Sequence, residues 1–299
     1  EVYITININE GKQYIVEKIH VSGKLIAPIH EIAELIEIKT GEYISKTKIL
    51  QSTENIKARL GEEGYAFSRI NAMPGKTKEG DTVDVNFFID PGTRAYVRRI
   101  NISGNITTQD EVLRREIRQM EGGWYSSSAI LLSKKRLKRL AYVDNVIVEE
   151  VRVPGSANKV DLNVRVKEKL SGNFNIGAGL GGSGTGLSLS AGIEQDNFLG
   201  FGSKVAINVD TGKTSKNYSF SFFNPYHNLD NVSRSFGFNV QTTKTDNTDT
   251  VADYEADRLG LNYSYGLPMT ENNRFNLELR YLKWDVESTS GSSDEIINF

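Results

Sequence analysis

Few stretches of this sequence hold the residue types that covalent chemistry needs, and none holds them at a productive spacing. Gly75-Lys-Thr77 and Gly212-Lys-Thr214 carry the tail of a phosphate-binding loop, but the glycine required five residues earlier is an isoleucine in both places, Ile70 and Ile207. Gly177 to Gly186 is glycine-rich, yet no Lys-Ser/Thr follows it. His20, His30 and His227 are scattered, without the spacing of metal ligands. There is no Gly-x-Ser-x-Gly elbow. Cysteine is absent, which excludes thiolate zinc modules, thiol catalysis and disulfide frameworks. A formal net charge of −2 argues against a chain built to bind nucleic acid. The one dense basic run, Lys134-Lys-Arg136 with Lys138-Arg139, reads either as a solvated helix face or as a contact for anionic headgroups or an acidic partner. These observations point away from an enzyme, and to no catalytic residue, metal or cofactor.

The function must then reside in how the chain is laid out, and the layout begins with a repeat. Tyr14-Ile-Val-Glu-Lys-Ile-His-Val-Ser-Gly23 matches Tyr96-Val-Arg-Arg-Ile-Asn-Ile-Ser-Gly104. Gly41-Glu-Tyr43 matches Gly123-Trp-Tyr125, Gly64-Tyr65 matches Ala141-Tyr142, and Val83 to Phe87 matches Val160 to Val164. Each copy opens with a period-two strand ending at Ser-Gly. A helical stretch follows, Ile29 to Ile38 or Asp110 to Met120, then a second, Lys46 to Leu60 or Ser127 to Leu140. Thr108 with Glu111 has the spacing of a capping box, and Gly41 and Gly122-Gly123 are expected to stop the first helices. Two strands finish each unit, Phe67–Ala72 with Val83–Ile89 and Val143–Val153 with Val160–Val166, with Pro74-Gly75 and Pro154-Gly155 in the hairpin loops. The unit is β-α-α-β-β, twice. It leaves a sheet edge that can take another strand through backbone hydrogen bonds, although a plain spacer would look the same. Val2 to Ile8 reads as the last strand of an earlier repeat.

After Lys169 the period becomes two. Phe174, Ile176, Ala178 and Leu180 alternate with Asn and Gly, and similar alternation recurs around Leu187, Val205, Tyr218, Phe236, Leu259 and Phe275. This predicts about seven strands of roughly 9–11 residues, the length that crosses a bilayer when tilted. Short links such as Pro268 to Asn273 alternate with longer ones such as Thr242 to Tyr254, and aromatic residues mark strand ends. Mean hydropathy is −0.39, which does not count against a barrel, since its lipid-facing residues alternate with polar ones. No apolar run is long enough for a membrane helix. A bacterial barrel needs an even strand number, so the sheet is expected to be an incomplete barrel. The expected domains are 1–13, the end of a preceding repeat; 14–92 and 93–170, one repeat each; and 171–299, the first strands of the barrel.

Val112-Leu-Arg-Arg-Glu-Ile-Arg-Gln-Met-Glu-Gly-Gly-Trp-Tyr125 resembles the barrel-proximal POTRA module of the Bam family of outer-membrane β-barrel assembly factors. Arg152-Val-Pro-Gly-Ser156 and Val166-Lys-Glu-Lys169 resemble the end of that module. Gly192-Ile-Glu-Gln-Asp-Asn-Phe-Leu-Gly200 and Asn224-Pro-Tyr226 resemble its early barrel strands and turns. The resemblance covers essentially the whole chain in order. It implies α+β POTRA repeats, the fourth and fifth of the family, followed by an antiparallel transmembrane β-barrel, here incomplete. The family's sixth-loop motif and closing strand would lie beyond Phe299. It implies a bacterial outer membrane location with the POTRA modules in the periplasm, and an activity that folds and inserts other β-barrel proteins. The implied partners are Bam-complex lipoproteins, unfolded outer-membrane β-barrel clients, outer-membrane lipid and periplasmic chaperones, with no nucleic acid and no cofactor. The positions matching the lipoprotein-docking helix are Arg114 and Glu121. The positions matching the lateral gate or template strand are Gly172, Asn173, Phe174, Asn175, Ile176, Gly177, Ala178, Gly179 and Leu180. Gly172, Gly177, Gly179, Gly181 and Gly182 would weaken pairing there, or simply make room for packed loops. A related two-partner secretion or translocation-assembly transporter is the alternative, and a passive porin, which has no need of soluble repeats, a more distant one.

Overall fold

Alternation of Val83, Val85, Phe87 and Ile89 with Asp84, Asn86 and an outward Phe88 makes strand β3 (Thr82–Asp90), and the first four side chains are buried. In this computed structural model, which describes residues 12–77, 80–181, 186–228, 230–245, 254–271 and 273–288, β3 is the middle of a three-stranded sheet. Strand β1 (Ile15–Gly23) runs parallel on one side of it and β2 (Arg69–Lys76) antiparallel on the other. Helices α1 (Ile29–Glu34) and α2 (Lys46–Glu62) send Ile32, Ile56 and Leu60 into the core with Val16, Ile38 and the four β3 residues. Each such side chain contributes about 1.5–3 kcal/mol by leaving water. Both β1 and β2 are edges. Pro74, expected in a hairpin loop, instead lies within β2 opposite Val85, where an edge strand tolerates the missing N–H.

The second module repeats this plan with β4 (Tyr96–Ser103), α3 (Asp110–Arg114), α4 (Ser127–Lys138), β5 (Val143–Arg152) and β6 (Lys159–Glu168), in sheet order β4-β6-β5. The repetition reaches atomic detail. Both β1 and β4 carry a bulge, between Val16 and Lys18 and between Val97 and Arg99. Gly23 and Gly104 end them at positive φ, where a Cβ would overlap the carbonyl oxygen of Ile89 or Val166.

The first helix of each module is shorter than its periodicity predicts, ending at Glu34 and Arg114. The reason is a buried serine on the second helix. Ser52 Oγ accepts the Glu37 N–H at 2.9 Å and donates to the Lys48 carbonyl at 2.7 Å; Ser133 Oγ does the same for Arg118 N–H at 2.8 Å and the Ala129 carbonyl at 2.6 Å. These amides find a side-chain acceptor, so the chain leaves the helix early. Gly41 and Gly122 therefore do not end the helices. They sit at positive φ in the turns before the bridges Ile15↔Tyr43 and Tyr96↔Trp124.

Two compact units organise the chain: Glu1–Ser103 with Glu116–Leu137 and Val146–Arg165, and Gly104–Arg115 with Lys138–Asn145 and Val166–Phe299. Inside the first, the modules interlock. Gly64 carbonyl accepts the Ala95 N–H at 2.9 Å, Ser127 Oγ donates to the Ala58 carbonyl at 2.7 Å, and Arg94 pairs with Glu63 at 3.2 Å while lying over Trp124. The Arg152 guanidinium lies over the Phe67 ring at 4.0 Å.

In the second unit seven antiparallel strands run in chain order: β7 (Gly172–Gly181), β8 (Gly186–Phe198), β9 (Ser203–Gly212), β10 (Ser215–Asn224), β11 (Ser233–Thr245), β12 (Tyr254–Pro268) and β13 (Arg274–Ser288). The register aligns an apolar row across all seven, Phe174-Ile193-Ile207-Phe220-Phe238-Leu261-Tyr281. The neighbouring row on the other face is Asn173-Glu194-Ala206-Ser221-Gly237-Asn262-Arg280. Most of the apolar row is exposed in this chain, as suits strands whose solvent on that side is lipid. The sheet is not closed among the described residues, its edges being β7 and β13. The expected strand Val2 to Ile8, Gly182, and residues 246–253 of the long polar link lie outside the described residues.

Candidate functional site

Strand β7 collects all nine residues singled out for a gate. It pairs with β8 without a break from Gly172↔Gln195 to Gly181↔Gly186, and its other side is an edge of the sheet. Phe174, Ile176 and Leu180 stand on the exposed apolar face, while Asn173, Asn175, Gly177 and Gly179 share the polar one. Two of the glycines answer a close approach across the ladder. A Cβ on Gly177 would come 2.6 Å from Ser190 Oγ, and one on Gly179 3.0 Å from Ser188 Oγ. Gly177 and Gly179 thus leave the upper half of the strand's polar face without side chains.

The root of β7 is fastened to the second module, and sequence reasoning missed the fastening. Thr108 is not the cap of α3; the helix begins after Gln109 with no side-chain cap. Instead Thr108 Oγ1 accepts from Asn197 Nδ2 at 2.8 Å, and its hydroxyl donates to Glu168. Glu168 also accepts the N–H groups of Ile106 (3.0 Å), Thr107 (2.9 Å) and Thr108 (2.8 Å). Burial pushes the Glu168 carboxyl up, but the Thr108 hydroxyl and these amides outweigh it and hold the group below the usual carboxylate range.

Asn197 is buried with φ +59, and its Oδ1 accepts the Gly202 N–H at 2.8 Å. The turn it shapes abuts the module. Gln109 N–H donates to the Gly200 carbonyl at 3.0 Å, and a Cβ on Gly202 would meet Arg115, Val112 and Tyr142. Arg115 in turn lies 4.2 Å over the Tyr226 ring, which accounts for the tyrosine of the Asn-Pro-Tyr turn. Ser171 closes the joint, donating through Oγ to the Asp196 carbonyl at 2.7 Å. A cleft of about 400 Å³ opens at this root, lined among others by Thr107, Tyr142, Glu168, Leu170 and Asn197. The legible signal was Gln195-Asp-Asn-Phe-Leu-Gly-Phe-Gly202, where an Asn among closely spaced glycines marks left-handed turns.

The two residues singled out for lipoprotein docking fall in different surroundings. Arg114 is exposed on α3, pairing with Asp110 at 3.0 Å. Glu121 is exposed as a residue, yet its Oε1 accepts the Ile100 N–H at 2.7 Å beside the β4 bulge, so it supports the module's own sheet. Among the described residues no group of three or more His, Asp or Glu side chains is placed to hold a metal ion.

Paired β-α-α-β-β modules leading straight into an antiparallel, apolar-faced meander define the class of POTRA proteins carried on an Omp85-type barrel. The POTRA family model (surface antigen variable number repeat) matches residues 14–92 and 95–169, and the Omp85 superfamily domain matches 197–299. The chain belongs to the POTRA family, and BamA outer-membrane assembly factors are its homologues. It is 35% identical over 92% of its length to the outer membrane protein assembly factor BamA of Neisseria meningitidis serogroup B, of which it covers 35%, and 30% identical over 94% to that of Buchnera aphidicola, of which it covers 45%. Among solved structures, BamA from Haemophilus ducreyi lacking POTRA domains 1-3 superposes with a TM-score of 0.76 at 35% identity, covering 92% of this chain and 52% of that one. POTRA3-5 of Haemophilus influenzae BamA gives 0.51 at 32%, covering 54% and 63%. The chain thus spans a third to a half of the length of these curated relatives.

Proposed function

We propose that this chain belongs to an outer-membrane protein assembly factor that folds and inserts β-barrel proteins into the bacterial outer membrane. The sheet spans that membrane and the POTRA modules stand in the periplasm. The observation that carries the reading is the rooting of β7: a ten-residue, glycine-rich strand that opens an apolar-faced sheet and is tied at its base to a POTRA module by hydrogen bonds. In a closed barrel the outer side of this strand meets the closing strand, because main-chain groups in lipid must be satisfied. A client strand can pair there in register whatever its side chains, because the ladder is made by backbone. Among the described residues the β2 edge of the first module, and β1 beyond its bridge to Tyr43, offer the same pairing in the periplasm, before a client reaches the membrane.

No covalent step is needed. Insertion is driven by burial of the client's apolar face in lipid and by closing its ladder, and the protein supplies a template and a lateral gate. The expected partners are the Bam-complex lipoproteins, docking through the helix that carries Arg114 and the segment of Glu121, and unfolded barrel clients. The relatives bear the name of assembly factors, and the reading assigns no catalytic residue and no cofactor. A disulfide engineered between β7 and the last strand of the full-length barrel tests it. Client assembly should stop when the bond forms and return on reduction; assembly that continues with the seam locked removes the gate.

A further inference from the structure

We propose that the second POTRA module is itself seated in the membrane surface through an apolar cluster at the root of β7, with Ile106 and Leu170 as its anchors. The inference rests on the reading of the β7–β13 sheet as membrane-spanning. Ile106 lies in the module's loop after β4 and is 95% exposed; Leu170, in the link to β7, is 99% exposed. Leu199 and Phe201, in the short β8–β9 turn, are 70% and 50% exposed. One exposed apolar side chain is ordinary on a protein surface, but several gathered at one place mark an interaction surface.

These residues are brought together rather than scattered. The Ile106 and Thr107 amides are bound to Glu168, two residues before Leu170. Gly200, between Leu199 and Phe201, approaches Thr107 so closely that a Cβ would overlap the Thr107 carbonyl, and its own carbonyl accepts the Gln109 N–H at 3.0 Å. Loop, link and turn therefore form one surface held by hydrogen bonds.

The occupant is identified by continuity. Phe174, Ile176, Ala178 and Leu180 form the lipid-facing row of β7, and Leu170 lies two residues before the strand begins at Gly172, in the link that leads into it. The cluster thus extends the lipid-facing face past the end of the strand, to the depth where headgroups meet acyl chains. Side chains of this kind enter that boundary and hold the attached element there. The ligand is the lipid of the membrane that the sheet already spans. It would keep loop 104–109 and the Glu168–Thr108–Asn197 joint against the bilayer.

These 299 residues hold no cysteine, and any cysteine elsewhere in the full-length protein is first replaced by serine. Single variants Ile106→Cys, Leu170→Cys, Phe174→Cys and Ser221→Cys of the full-length protein are labelled with an environment-sensitive fluorophore and folded into vesicles of phosphatidylcholine. Heat-modifiable migration verifies folding, and Leu199→Cys stands in should either anchor variant fail to fold. At Ile106 and Leu170 the expected result is blue-shifted emission, quenching by lipids brominated near the headgroup end of the chain, and loss of quenching by aqueous iodide. Phe174 should be quenched by brominated lipid and Ser221, on the polar face, should not. Iodide quenching at Ile106 and Leu170, with Phe174 quenched by lipid, overturns the anchor and leaves the membrane sheet intact. Probes at both anchors that are shielded from iodide yet untouched by brominated lipid also overturn it, because a protein surface then covers the cluster. If Phe174 fails as well, the membrane reading is what has failed.

Discussion

Asn197→Ala should open the joint between the second POTRA module and the barrel sheet while leaving both standing. The side chain makes two hydrogen bonds of 2.8 Å, donating to Thr108 Oγ1 and accepting the Gly202 N–H. Losing each in a buried setting costs about 1 kcal/mol, more where the amide is left unsatisfied. Alanine must also hold φ +59, a left-handed conformation that costs about 1 kcal/mol or more and that asparagine tolerates better. The total is about 3 kcal/mol, or roughly a hundredfold in the opening equilibrium. Hydrogen–deuterium exchange of the full-length protein reads this directly, since Gly202 N–H is bound by Asn197 itself and Gln109 N–H by the turn it shapes. Both amides should exchange faster in parallel. Asn197→Gly, which keeps the conformation and loses both bonds, should show most of the effect. Asn197→Asp, which keeps the acceptor for Gly202, should protect Gly202 better than Asn197→Ala does. Unchanged exchange at both amides in Asn197→Ala, or acceleration at Gly202 alone, would refute the idea that this residue couples turn to module.

Three further outcomes follow from the same geometry. The Glu168 carboxyl is held below its ordinary value, so its contribution is full at neutral pH, declines as pH falls below the ordinary carboxylate value and is gone below the lowered native one; exchange at Ile106, Thr107 and Thr108 amides, corrected for intrinsic rates, should rise across that window, and Glu168→Gln should remove the transition. Ser133→Ala and Ser52→Ala each leave a backbone N–H without its acceptor and should cost about 1–2 kcal/mol in urea denaturation, while Ser→Thr, which retains the hydroxyl, should restore part of it. Glu121→Gln keeps an oxygen for the Ile100 N–H and should preserve the fold while weakening binding of the assembly lipoprotein; Glu121→Lys removes that acceptor too and should lower the melting temperature as well, so equal binding by Glu121→Gln and the parent would remove the residue from the docking surface.

The repeats were legible because burial writes a period into the chain. Val83, Val85, Phe87 and Ile89 declare a half-buried strand, and their counterparts at 160, 162, 164 and 166 do the same. The membrane strands were legible for the same reason, with Phe174, Ile193, Ile207 and Phe220 alternating against Asn, Glu and Ser. Helix ends were less so. Ile36 and Ile38 continue an apolar period, but the amide of Glu37 finds Ser52, fifteen residues on, and such a bond leaves no local trace. The capping-box spacing at Thr108 and Glu111 misled because the hydroxyl finds its partners in Glu168 and Asn197, sixty and eighty-nine residues away. Glycines in β7 read as weak pairing, and the structure sets Ser190 and Ser188 opposite Gly177 and Gly179 across the ladder. Arg114 and Glu121 came only through resemblance, since an exposed charge on a helix looks alike whether or not a partner meets it.

The central claim is tested most directly with the full-length protein in liposomes, together with its lipoprotein partners. An unfolded outer-membrane barrel protein is added and its gain of protease resistance followed in time. Acceleration over empty liposomes, abolished by deleting residues 93–169, is the predicted result. No acceleration, with steady ion conductance in its place, would contradict the account and leave the POTRA modules as docking spacers on a passive channel.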